Sequence, residues 1–170
     1  STLELQPLLR LVLDQLRNVV DYTSATLFTL RDGKLWPMEH QGPLTEGEFD
    51  LRNARPYVVT PGPVDERILT RLEPIIIDDL QNSEQPGLTD PEGAEGPLPE
   101  SMRYIRSWMG VPLVHKDRAI GMLAIDHSEP GYLKEEHATL AIAFASQAAV
   151  AIENARLFAE ANQRAREKEA

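Results

Sequence analysis

RSWMGVPLVHKDRAIGMLAIDH, residues 106–127, decides the fold of this chain. The stretch has two runs of strand-forming residues, Ser107–Val114 and Ala119–His127, with a charged turn between them. Glycine inside a strand marks a bulge or a close backbone approach, so Gly110 and Gly121 predict one of these two features in their strands. An alanine-rich helix follows the hairpin. A strand pair that leads into a long helix favours a sensory domain, which passes a signal along the helix, over a catalytic domain.

The acidic composition excludes two classes of partner. The chain has 170 residues, of which 42% are hydrophobic, and this suits one soluble domain with a sizeable core. Its net charge of −10 repels the phosphates of nucleic acids and anionic membrane surfaces. The longest charge-free helical stretch, Ala138–Ile152, is too short to span a bilayer. We therefore predict no nucleic-acid partner and no direct membrane insertion.

The absence of cysteine excludes several kinds of chemistry. Disulfides, thiolate catalysis, cysteine-bound zinc and a thioether-linked chromophore all require a thiol. A chain without cysteine fits the reducing cytoplasm, where we expect this protein to lie. Because the chain starts at Ser1 and ends within a charged helical pattern, we interpret residues 1–170 as a single domain of a longer protein.

Hydrophobic spacing and turn residues place the elements before the hairpin. Residues 82–100 carry prolines, glycines and acidic residues but no basic residue, and they predict a long loop. That loop is either a lid over a ligand pocket or a solvated insertion. Pro37 predicts a bulge or an edge position within its strand. The other predicted elements are an amphipathic helix over 4–21, strands over 25–30 and 35–41 around an Asp32-Gly33 turn, a short helix over 64–72 and a buried strand over 75–77, with 42–60 unassigned.

The final helix is predicted over residues 134–168, which corresponds to roughly 50 Å. Beyond Glu153 it is charged, apart from a narrow stripe at a spacing of three and four that is typical of a coiled-coil seam. We predict a homodimer through the terminal helices, with Leu157 and Phe158 at the contact. The Ser or Thr cap expected near Leu133 is missing. The seam residues are Ala151, Ala155, Phe158, Asn162 and Ala165.

Four motifs in this order resemble the GAF domain family. They are EPIIIDD at 73–79, RSWMGVPL at 106–113, AIGML at 119–123 and ASQAAVAIENA at 145–155. The resemblance covers almost the whole chain and implies an α+β fold with a central antiparallel sheet of about five to six strands. It also implies that the terminal helices pack on one face, while the loop and short helices cover a small-molecule pocket on the other. Domains of this family usually precede an output domain such as a histidine kinase, a nucleotide cyclase or a phosphatase.

The better-defined functions of the family do not suit these residues. Covalent bilin binding and free methionine sulfoxide reduction depend on cysteine in the family and are excluded. Relatives that bind cyclic nucleotides carry an Asn-Lys pair where this chain has Asp126-His127, so a cyclic nucleotide is not expected. The histidines lack ligand-like spacing, so neither haem nor a metal is expected. No catalytic residue is predicted, because no motif places a nucleophile beside a base.

The candidate ligand-binding residues combine charge with aromatic surface. An arginine beside an aromatic ring can hold an anionic or planar ligand, and the alternative is a solvated arginine pair beside a buried tyrosine. The tryptophans and the phenylalanine either line a pocket or fill the core. Two functions stay open at this point: sensing of an unidentified small molecule with relay through the last helix, or dimerisation and relay without a ligand. The candidates are Phe28, Trp36, Asp78, Arg103, Tyr104, Arg106, Trp108 and Asp126.

Overall fold

The structure, a computed structural model, describes residues 2–43, 55–82, 88–89 and 100–169. Within these ranges the chain forms two long helices, seven strands and three short helical segments. The long helices are α1 (Thr2–Arg17) and α2 (Glu135–Glu169). The strands are β1 (Ser24–Arg31), β2 (Lys34–Gln41), β3 (Tyr57–Val59), β4 (Ile75–Ile77), β5 (Leu88–Thr89), β6 (Ser107–His115) and β7 (Arg118–His127).

The strands form one antiparallel sheet in the order β4-β6-β7-β1-β2-β3-β5. The two long helices contact each other, and α2 also packs along β6. The first core cluster lies between these helices and the sheet, and it joins residues such as Leu9 of α1, Ile125 of β7 and Ala145 of α2. This arrangement confirms the predicted α+β fold with both terminal helices on one face. The described sheet has seven strands rather than five or six, because the two-residue β5 adds to its edge.

The buried face of α2 consists mostly of alanine, which lets the helix approach the sheet closely. Ala138, Ala141, Ala145, Ala148 and Ala149 are all buried. Among the described residues, α2 is the one helix long and apolar enough to cross a membrane by length and composition, and 39% of its most apolar window is buried within the protein. A core helix of a soluble protein passes the same test, and the alanine face of α2 is packed in this way.

Helix α1 ends four residues before the predicted boundary. The hydrophobic period continues through Val20, which is fully buried in the first cluster although it lies beyond the helix. The chain turns there, and the buried Tyr22 hydroxyl donates a hydrogen bond to the Leu13 carbonyl oxygen at 2.8 Å. A buried turn residue therefore extended the helical pattern past the last helical residue, Arg17.

The first hairpin has the turn and the bulge that its sequence predicts. Asp32 and Gly33 both have positive φ, 53° and 72°, as a two-residue Asp-Gly turn requires. The register between β1 and β2 shifts where Leu27 lies opposite Glu39 and Phe28 lies opposite Pro37. Proline donates no ladder hydrogen bond, so a bulge accommodates it within a paired strand.

The face of the sheet away from α1 and α2 is covered by shorter elements. Residues Val64–Thr70 form a π-helix rather than the ordinary helix predicted over 64–72. Its buried side chains, Val64 and Ile68, point into the core. Most of the predicted loop over 82–100 lies outside the described residues, and Leu88–Thr89 within it pair with β3.

Candidate ligand site

The face covered by the π-helix carries a second apolar cluster. Strand alternation puts Phe28 of β1 and its cross-strand partner Met122 of β7 on this face. Phe28 also contacts the Tyr57 ring edge-on, with 5.7 Å between centroids. Two predicted candidates, Phe28 and Trp108, therefore lie together in this cluster. Its members are Phe28, Leu35, Val64, Ile68, Ile75, Leu80, Trp108 and Met122.

Beside this apolar cluster lies a polar cluster formed by Ser24, Tyr104 and Asp126. Asp126 lies opposite Ser24 on one side and opposite Trp108 on the other, so three strands bring one row of side chains together. The Asp126 carboxyl accepts hydrogen bonds from the Ser24 backbone N–H at 3.1 Å and from the Ser24 hydroxyl. The Ser24 hydroxyl also lies 3.0 Å from the Tyr104 hydroxyl. Ser24 and Asp126 are buried, whereas Tyr104 is half-buried.

Burial gives the Asp126 carboxyl an unusual protonation equilibrium. Loss of solvation raises its pKa from 3.8 to about 7, although the hydrogen bonds from Ser24 act in the opposite direction. Both protonation states of Asp126 are therefore accessible near neutral pH. The neutral carboxyl can donate a hydrogen bond, whereas the carboxylate can only accept one.

A second polar pair lies on the same face of the sheet. Thr26, two residues from Ser24, has its hydroxyl 2.8 Å from Nδ1 of His40 on the neighbouring strand. Burial lowers the pKa of His40 from 6.5 to about 4, so its imidazole is neutral at pH 7. Thr26 and Ala124, which pair across β1 and β7, are only half-buried. Small side chains therefore form the middle of this face, between the polar cluster and Phe28.

Sequence reasoning selected Asp126 and Tyr104 of this site but missed Ser24, Thr26 and His40. His40 was weighed as a metal or haem ligand and set aside, because nothing in its spacing relates it to the other residues. Only the alternation of β1 and β2, combined with their register, places it beside Thr26. Ser24 precedes the strand predicted from residue 25, so the sequence pattern gave no reason to select it.

Three other candidates lie away from the polar cluster. Trp36 follows Leu35 of the second cluster, so its side chain is on the opposite face, where the Arg31 guanidinium lies 5.0 Å from the ring centroid. Asp78 is exposed, and its backbone carbonyl oxygen accepts a hydrogen bond from the Gly131 N–H at 2.7 Å. Arg103 is also exposed. The structure does not bring these three side chains to one site.

Arg106 is engaged by an acidic residue that was not a candidate. Its guanidinium donates two hydrogen bonds to the Asp79 carboxylate, at 2.8 and 2.6 Å. These bonds lower the pKa of Asp79 to about 2, and Asp79 also accepts hydrogen bonds from the backbone of Gln81 and the amide of Asn82. The guanidinium thus fixes the short turn after β4. Asp79, rather than the candidate Asp78, is therefore the partner of Arg106.

The described residues include no group of three or more His, Asp or Glu side chains that could hold a metal ion. The polar cluster has one carboxyl, two hydroxyls and no basic side chain. Its chemistry suits a ligand that presents hydrogen-bond donors or neutral polar groups beside an apolar surface.

An antiparallel sheet with the two long helices packed on one face defines an α+β domain. The sequence model of the GAF domain matches residues 2–153. The chain belongs to the GAF domain family, as the four sequence motifs indicated. None of the curated proteins compared with the chain matches it.

Solved structures share this fold at low sequence identity. The GAF domain/HD domain protein from Geobacter sulfurreducens is 15% identical with a TM-score of 0.68, covering 90% of this chain and 94% of that one. The GAF domain of a phosphoenolpyruvate-protein phosphotransferase from Coxiella burnetii is 19% identical with a TM-score of 0.61, covering 94% and 99%. Free methionine-R-sulfoxide reductase from Neisseria meningitidis, solved with its substrate, is 16% identical with a TM-score of 0.63, covering 92% and 82%. These likenesses establish the fold.

Proposed function

We propose that this GAF domain is a cytoplasmic sensory module that binds a small molecule and relays the binding through α2 to an output domain. The observation that carries the proposal is the polar cluster of Ser24, Tyr104 and Asp126. A buried ionisable group with a strongly raised pKa, beside apolar surface, is typical of a functional site. The Geobacter relative, a GAF domain/HD domain protein, is consistent with a regulatory domain joined to an output domain.

Native mass spectrometry of the purified domain tests whether it carries a bound ligand. We expect wild-type protein to carry an additional small-molecule mass and Ser24→Ala to lose it, because the substitution removes the hydroxyl that joins Tyr104 to Asp126. Trp36→Leu is the matched control on the opposite face and should retain the mass. Equal retention in both variants would place the ligand elsewhere.

The relay proposal rests on the length and the exposed stripe of α2. Its 35 residues span roughly 50 Å, and residues 156–169 are all exposed. Leu157 and Phe158 are 48% and 51% exposed, and Leu140 and Val150 add apolar surface on the same side of the helix. Such a stripe is suited to a second copy of the helix, with Leu157 and Phe158 at the contact.

Phe158→Glu should convert the dimer to a monomer, because it places a charge in the apolar seam. Sedimentation equilibrium across a concentration series measures the change in mass. Gln163→Glu introduces the same charge on the other side of α2 and should leave the dimer intact. A wild-type mass that already corresponds to one chain, or an unchanged mass for Phe158→Glu, would contradict the proposed contact.

We propose no catalytic activity for this domain. The Neisseria relative is a free methionine-R-sulfoxide reductase, which makes sulfoxide reduction the enzymatic alternative for this fold. Reduction by a thiol needs a cysteine, and this chain has none.

A second function, dimerisation and relay without a ligand, is favoured by the packing above Gly110. A Cβ atom at Gly110 would lie 2.5 Å from the Trp108 ring and 2.6 Å from Cδ1 of Ile68, so these side chains fill that part of the face. The mass measurement distinguishes the two functions, since a ligand-free relay carries no additional mass in the wild type or in either variant.

A further inference from the structure

The start of α2 is held by one side chain from the sheet and one from its own first turn. No Ser or Thr precedes the helix in the usual capping position, yet two backbone N–H groups near its start have side-chain partners. The Leu133 N–H donates to the hydroxyl of Ser107 on β6 at 3.1 Å, and Ser107 is fully buried. The Lys134 N–H donates to Nδ1 of His137, in the first turn of the helix, at 2.9 Å.

Three stacked rings join the end of β7 to this first turn. The His127 and Tyr132 rings are nearly parallel, with 3.7 Å between centroids and 14° between planes. The Tyr132 and His137 rings are also within 14° of parallel, with centroids 5.4 Å apart. His127 is fixed in turn, because its Nδ1 accepts a hydrogen bond from the Glu129 N–H at 2.9 Å. The stack therefore connects the last residue of the strand with the helix across the turn.

The other end of this stack adjoins the polar cluster. Asp126 and His127 are neighbours on β7, so their side chains lie on opposite faces of the sheet. The Thr23 N–H donates to the Asp126 carbonyl oxygen at 2.8 Å, and the Thr23 hydroxyl accepts from the Ser128 N–H at 3.0 Å. Together with the bond from the Ser24 N–H to Asp126, these contacts clamp residues 126–128 to the start of β1. Because Asp126 and His127 are adjacent residues of one strand, a movement of the β7 backbone at Asp126 also moves the His127 ring.

We propose that the stacked rings of His127, Tyr132 and His137 transmit a displacement at Asp126 to the first turn of α2. The inference rests on the proposed function, which supplies the signal, and adds the path by which it crosses the sheet. The His127 and Tyr132 rings are in face-to-face contact and the Tyr132 and His137 rings are offset-stacked, so a movement of His127 pushes Tyr132 toward His137. Because His137 also accepts the Lys134 N–H, the helix start moves with the ring.

The test uses Ser24→Ala as a local perturbation in place of an unidentified ligand. Amide ¹H–¹⁵N chemical shifts of Ala138 and Ala141 report the start of α2 at one fixed pH. Ser24→Ala should displace these shifts in wild-type protein and in a Tyr132→Phe background, which keeps the ring. In a Tyr132→Leu background most of that change in chemical shift should be lost, because the middle ring of the stack is absent. The four-way comparison is a double-mutant cycle, which isolates the coupling from the separate effects of each substitution.

Two results would overturn the proposal: an undiminished displacement in the Tyr132→Leu background, or no displacement at α2 in wild-type protein. Tyr132 is half-buried, and His137→Leu, which removes the last ring, serves as a second variant if Tyr132→Leu does not fold. The outcome is separable from ligand binding. The coupling between Ser24 and α2 can be measured in a domain that carries no small molecule. Conversely, a domain that binds a ligand can still show no coupling through the rings.

Discussion

Gly121→Ala is expected to lower the free energy of unfolding by about 3 kcal/mol. A Cβ atom at this position in β7 would lie 2.0 Å from the carbonyl oxygen of Phe28, well inside van der Waals contact. That oxygen belongs to the backbone of β1, which pairs with β7, so it cannot rotate away as a side chain would. Relief requires the two central strands to separate, which weakens the ladder and the core clusters on both faces.

Gly110→Ala is the matched comparison for this prediction. Its Cβ atom would meet the Trp108 ring and Cδ1 of Ile68, and both are parts of side chains that can shift. We therefore expect a smaller loss at Gly110 than at Gly121, measured by urea unfolding of both variants beside the wild type. Equal losses in the free energy of unfolding at the two positions would show that a contact with backbone atoms costs no more than a contact with side chains.

The second large effect is the pH dependence that Asp126 imposes on stability. Its pKa is about 7 in the folded chain against an ordinary value of 3.8, so between these values the folded state binds a proton that the unfolded state releases. The stability that the neutral carboxyl contributes is complete below about pH 4 and is lost as the pH rises through 7. Asp126→Asn keeps the side chain neutral at every pH. The free energy of unfolding of the variant should therefore exceed that of the wild type by about 4 kcal/mol at pH 8 and equal it at pH 4.

Urea unfolding of the wild type and the Asn variant, from pH 4 to 8, measures this difference directly. His40 acts in the opposite direction, because its lowered pKa stabilises the fold above pH 6.5 and that stabilisation is lost as the pH falls toward 4. Subtracting one profile from the other removes this contribution, since both proteins contain His40. Parallel profiles for the two proteins would show that Asp126 is ionised at neutral pH in the folded state.

The local elements of this fold follow from short-range chemistry. The Asp32-Gly33 turn and the bulge near Pro37 were predicted because turn dihedrals and strand geometry depend on neighbouring residues. Gly121 was predicted to mark a bulge or a close backbone approach, but the backbone that it approaches, that of Phe28, is brought there by strand pairing. The end of α1 was predicted too late, since Val20 continues the apolar period after the helix has stopped. Periodicity reports which residues are buried, and it reports helix boundaries only indirectly.

The sequence by itself determined the family, the order of the elements and the exclusion of cysteine chemistry. Tertiary structure alone decided which polar groups meet, because Tyr104 and Asp126 are 80 and 102 residues from Ser24 along the chain. It also decided that Arg106 binds Asp79, and that Ser107 of β6 holds the start of a helix without a Ser or Thr cap. Hydrogen-bond partners of buried groups depend on strand register and on which face of the sheet a residue occupies. The spacing of residues along the sequence does not reveal the register of the strands or the face of the sheet until the strands are paired.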